Sequence, residues 1–204
     1  LTLNDAVTAS GGGAQAFNAG PGTLTATSIT KAASALTLAG DAAINISGNL
    51  SAVGLTFSDG VTATGATQSF DATTGAFAAS TIGKTTAGVL TVAGDTSLTI
   101  SGDVTTVGVT FADAVTASGG GTQTFEAGTG TLTTAAITKA AGTLILGGDT
   151  DINASAGLTA VGLTLNDAVT ANGTATQTFT AGTGALSITG LTQKTGTGDI
   201  NLVG

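Results

Sequence analysis

Asp5, Asp59, Asp113 and Asp167 recur with a period of 54 (59−5, 113−59, 167−113), and so do Val7, Val61, Val115 and Val169. The chain is therefore written nearly four times over. Residues 1–54, 55–108 and 109–162 are full copies, and residues 163–204 are a shortened fourth. Units that recur at a fixed period bury their apolar faces against one another, so the array reads as one continuous body over residues 1–204.

Superposing the copies shows which positions are held apolar. Leu3, Phe57, Phe111 and Leu165 form one column, Phe17, Phe70, Phe125 and Phe179 a second, Leu24, Phe77, Leu132 and Leu186 a third. Ile29, Ile82, Ile137 and Leu191 follow, with Leu36, Leu90 and Leu144, then Leu38, Val92 and Leu146, then Ile44, Leu98 and Ile152. Inside each copy they alternate with Thr, Ser, Ala or Asn, as in Leu36-Thr37-Leu38 and Ile44-Asn45-Ile46. Period-two alternation bounded by Gly, Asn and Asp is the mark of strands, and helix-forming Glu, Gln and Lys are scarce.

The expected fold is all-β. A sandwich domain needs about 100 residues, too many for this unit. A propeller closes only on whole blades, which the short fourth copy does not supply. A parallel β-helix, or β-solenoid, tolerates an incomplete copy. Three turns per copy, about 18 residues each, would give about eleven turns and a length of about 50 Å at the usual strand spacing; two longer turns per copy is the other division. One-residue slips between copies, as in Ser10-Gly11-Gly12-Gly13 against Thr64-Gly65, fit corners rather than strands.

Composition narrows the chemistry. The chain has no Cys, His, Met, Trp, Tyr or Arg, so disulfides, thiolate metal sites and imidazole-activated hydroxyls are out of reach. No enzymatic activity and no catalytic residue is expected. Four Lys against twelve acids leave a net charge of −8, the wrong sign for nucleic acid. The apolar stretches are interrupted by Gly, Ser, Thr and Asn, so no membrane span is expected. The chain opens on Leu1 with no leader ahead of it, which reads as a mature product or a piece of something longer.

Strings such as Leu36-Thr37-Leu38-Ala39-Gly40-Asp41-Ala42-Ala43-Ile44-Asn45-Ile46-Ser47-Gly48 and Gly198-Asp199-Ile200-Asn201-Leu202 resemble the degenerate repeats of filamentous-haemagglutinin-type adhesins and related large exported bacterial proteins. The resemblance implies a right-handed parallel β-helix, export to the cell surface or medium, and a role in adhesion or fibre building.

Three residue patterns invite a functional reading. Asp41, Asp95 and Asp149 each follow Gly, with Asp103 and Asp151 nearby; such carboxylates could gather Ca²⁺, or could simply close corners by accepting backbone amides. The second reading is preferred, and no cofactor is expected. Threonines such as Thr23/Thr25, Thr62/Thr64, Thr122/Thr124 and Thr176/Thr178 could line one face, as on ice-binding solenoids; with three turns per copy, however, equivalent hydroxyls would stand about 14 Å apart. Lys31, Lys84, Lys139 and Lys194 read as solvated corner residues.

The reading is therefore an extracellular structural solenoid that forms a rod, fibre or coat by pairing with copies of itself. The alternative is the stalk of a secreted adhesin with cell-surface or carbohydrate ligands. A carbohydrate-active β-helix would need carboxylates clustered on one face.

Overall fold

In the computed structural model, which describes residues 1–194 and 197–204 and the side chains of 1–191 and 197–204, the chain is a parallel β-solenoid of about nine turns, with no helix among the described residues. Each turn has three walls. On the first wall the inward column Leu24, Ile44, Val61, Ile82, Val104, Phe125, Leu146, Leu165, Ile188 climbs one strand at a time. Eight steps carry the column from position 24 to position 188, so one turn takes about 20 positions, (188−24)/8. The register differs from the expected 18, and the stack has about nine turns rather than eleven.

The reason is a mismatch between copy and coil. Residues 55–108 supply eight strand segments: the end of Leu50–Phe57, then Val61–Ala63, Gln68–Ala72, Ala76–Ala79, Ile82–Lys84, Leu90–Gly94, Ser97–Ile100 and Val104–Thr105. Eight segments on three walls make two and two-thirds turns (8/3). Each copy therefore starts on a different wall from the one before. Phe70 stacks between Leu50 and Val92, Phe125 between Val104 and Leu146, and Phe179 between Leu158 and Leu202, in three separate columns. One repeated sequence thus builds all three walls.

Long strands mark corners that the backbone rounds without a break. Ile29–Ala39 pairs with Leu50–Phe57 on two successive walls, with a register shift between Lys31 and Ala35, and Gly162–Ala171 behaves likewise against Leu186–Lys194. Inward residues of the middle turns are sealed: Phe70, Phe77, Phe125 and Phe179 are fully buried. Where segments from neighbouring walls meet in the core, rings touch across it, Phe57 with Phe70 at 5.4 Å and Phe111 with Phe125 at 5.6 Å. No helix among the described residues is long and apolar enough to cross a membrane.

Candidate functional site

Sequence parity decides where the lysines go. In Ile29-Thr30-Lys31, Ile82-Gly83-Lys84 and Ile137-Thr138-Lys139 the Lys lies two residues beyond an inward Ile, on the same side of the strand. Lys31, Lys84 and Lys139 are accordingly buried, which corrects the expectation of solvated corners; the side chain of Lys194 lies outside the described residues. Each ammonium donates to the carbonyl of a corner glycine, Gly11, Gly65 or Gly119.

A glutamine completes two of these corners. Gln68 and Gln123 stand at one fixed offset ahead of Lys84 and Lys139 (84−68, 139−123) and are buried, each two positions before an inward Phe. Gln68 Nε2 donates to the carbonyls of Ile46 and Gly48 at 3.0 and 2.9 Å, while its Oε1 accepts the Gly65 amide at 2.7 Å. Gln123 makes the same set, and its Oε1 also accepts from Lys139 Nζ at 2.7 Å. Gln177 repeats the pattern with Ala154, Ala156 and Gly173. Gly65 must be glycine, because a Cβ there would lie 2.1 Å from the Ser47 carbonyl oxygen. Burial holds the Lys84 and Lys139 amines below the usual lysine range, although Asp103 pulls Lys139 back upward. These groups lock corners by satisfying main-chain polar atoms of two turns at once.

The acids line other corners. Asp59 Oδ2 accepts the Gly40 amide at 3.1 Å, Asp113 Oδ2 that of Gly94 at 3.0 Å, and Asp167 Oδ2 that of Gly148 at 2.9 Å. The carboxylate that closes a Gly-Asp corner thus comes from the next turn, not from the Asp that follows the Gly. At one corner Glu126, Asp149 and Asp167 bring carboxylate oxygens within 4.8 Å of one another. Burial raises the Glu126 pKa, partly offset by the bond from the Gly128 amide, with Asp167 and Asp149 adding repulsion; Asp71 is raised by burial and then by Asp113 and Asp95. Chemically, the trio can share protons or offer oxygens to a hard cation, and Asp149 stands in the open.

Threonines also fall closer together than three turns per copy would place them. Because copies rotate between walls, non-equivalent threonines stack: Thr99, Thr116, Thr138, Thr159 and Thr180 occupy one outward row on successive strands, about 4.8 Å apart. The neighbouring outward positions are Ser97, Ala114, Ala136, Gly157 and Thr178. The row is a single file, which sets a spacing in one direction only, whereas a crystal plane must be matched in two.

At the ends the core is open. Phe17 is half-buried while its equivalents Phe70, Phe125 and Phe179 are sealed, and Leu3 and Val7 show the same contrast with their counterparts. Leu1, Leu191, Leu202 and Val203 are exposed at 49%, 42%, 50% and 48%. Thr25 donates to the Leu1 carbonyl and Thr27 to that of Leu3, so by alternation the amide and carbonyl of Thr2 point along the axis, away from the stack.

No family model matches this chain, and neither does any curated protein or solved structure.

Proposed function

We propose that this chain is a structural rod, continued along its axis by further β-coil, and that it works outside the cell. The observation that carries the reading is the contrast between equivalent residues: Phe17, paired on one side, is partly open, whereas Phe70 and Phe125, paired on both, are sealed, and a further turn against Phe17 would seal it likewise. Unpaired strand edges attract further strands. A second copy can provide them head to tail, a contact that repeats indefinitely. The resemblance to exported adhesin-type repeats supports the location, and a side-chain set without imidazole, thiol, phenol or guanidinium supports a mechanical rather than catalytic role.

The test is to image the full chain by electron microscopy and follow its size by sedimentation as concentration rises. Filaments with an axial subunit repeat of about 45 Å, nine turns at the strand spacing, are expected. Thr2→Pro removes an amide that points off the end of the stack and bonds to nothing within it, so it should stop growth and leave the fold intact. A wild-type chain that stays monomeric at high concentration refutes self-assembly and favours a stalk within a longer adhesin.

A further inference from the structure

In a chain made of near-copies, places where one copy differs from its sisters are informative when they meet in space. Gly83 stands where the first and third copies have Thr30 and Thr138. A Cβ there would find Thr62 Oγ1 at 3.7 Å and the Val61 carbonyl at 3.8 Å, ordinary contacts, and the backbone is not left-handed. The fold does not require this glycine. Its absent side chain leaves a gap in the outward row between Thr62 and Thr105 on the adjoining strands.

Three more departures converge on the gap. Gly60 replaces the alanine found at 6, 114 and 168, and a Cβ there would lie 2.5 Å from Thr81 Oγ1, so the glycine admits that hydroxyl. Thr81 itself corresponds to Ser28 and Ala136, and Asp103 to Asn49 and Gly157. Together they form a hollow of about 400 Å³ lined by Asp41, Asp59, Thr62, Thr81, Asp103 and Thr105. Its size falls within the range of small-ligand sites.

We propose that this hollow binds a hexosamine unit of a deacetylated amino-polysaccharide. Three carboxylates call for a cationic ligand, and three hydroxyls, each both donor and acceptor, suit a ring bearing hydroxyls of its own. Asp59 and Asp103 each use one oxygen on a backbone amide, of Gly40 and of Thr124, which fixes the carboxylate and keeps a second oxygen to offer the ligand. Thr62 and Thr105 are two strands apart, about 10 Å, which spans a pyranose ring with its substituents. No aromatic side chain lines the hollow, so a flat aromatic cation has nothing to stack on. A bare metal ion needs oxygens converging to about 2.5 Å, and among the described residues the close carboxylate trio is the one at Glu126, not this one. This site is independent of end-to-end assembly.

The experiment is calorimetric titration of the full chain with a glucosamine tetramer at low salt. Saturable binding at one site is expected. Gly83→Thr, which restores the residue of the sister copies, should weaken it by about tenfold or more without lowering the melting temperature, since Thr favours a strand more than Gly does. Asp103→Asn, which keeps the bond to the Thr124 amide, should weaken it as well. The fully N-acetylated tetramer, lacking the ammonium, should bind more weakly than the free amine. Absence of wild-type binding, equal binding by Gly83→Thr, equal binding of the acetylated sugar, or heat released only with Ca²⁺ would each overturn the proposal.

Discussion

Replacing Phe125 by Ala probes the core where it is most constrained. Phe125 is fully buried between Val104 and Leu146 in its column and packs on the Phe111 ring at 5.6 Å. The turns above and below are tied by strand pairing and cannot collapse into the space, so the loss should reach about 3 to 5 kcal/mol, the range for truncating a sealed Phe. Phe17→Ala removes the same side chain from the same place in the copy, but Phe17 is paired only to Leu38 and is partly wet. Its loss should be smaller, because Phe17 keeps part of its surface in water and its truncation leaves no sealed cavity. Guanidinium unfolding followed by circular dichroism measures both. Solenoid turns can also open locally, so hydrogen exchange in Val104–Thr105 and Thr143–Gly147 should report the Phe125 change. Equal costs for the two variants, or a Phe125→Ala cost below about 0.5 kcal/mol, would refute the assignment of sealed middle turns and open ends.

Two further expectations concern ionisation. Glu126 has a folded pKa above its ordinary value of 4.5, so its contribution is complete below that value and is lost as pH rises through the folded pKa. Acidification from neutrality toward pH 4.5 should raise stability in urea melts, and Glu126→Gln should shrink that rise. Lys139 is depressed below 10.5, so its contribution is present above 10.5 and is lost as pH falls through the folded pKa. Lys139→Met should flatten this alkaline rise and lower stability at pH 7 by about 1 to 3 kcal/mol, because the Gly119 carbonyl and Gln123 Oε1 lose the donor that locks the corner; an unchanged or higher stability would mean that relief of desolvation outweighs the ammonium bonds.

The strands are legible in the sequence because a half-buried strand must alternate, and Leu36, Leu38, Ile44 and Ile46 do. The number of turns is not legible. Strand segments differ in length and are joined by corners that differ too, so no spacing in the sequence announces a turn. A repeated copy suggests an even division, and eight segments on three walls defeat it. That mismatch also moves the threonines, since Thr116 and Thr138 come from different places in the copy yet sit on adjacent strands. The lysines are legible but easily misread: Ile82-Gly83-Lys84 keeps Lys84 in phase with an inward Ile, and Gln68-Ser69-Phe70 does the same for its glutamine. Charge alone sends a Lys outside, and only the stacked turns reveal the carbonyls waiting for it within. The hollow at Gly83 needs the structure, because Asp41, Gly60, Gly83 and Asp103 lie far apart along the chain and meet only when successive turns are stacked.

A turn of about 20 positions does not divide the repeat evenly, and engineered disulfides read this directly because the chain has no cysteine of its own. Thr116 and Thr138 are directly paired on adjacent parallel strands, at a spacing of about 4.8 Å that suits a disulfide. The double variant Thr116→Cys/Thr138→Cys should close under mild oxidation, seen as a loss of two hydrogens in the intact mass. Thr116→Cys/Thr134→Cys tests the division of a copy into three equal turns (134−116), and Thr116→Cys/Thr143→Cys the division into two (143−116); both should stay reduced. Closure of either control pair, with the 116/138 pair open, would contradict the two-and-two-thirds-turn copy and the three-walled solenoid built from it.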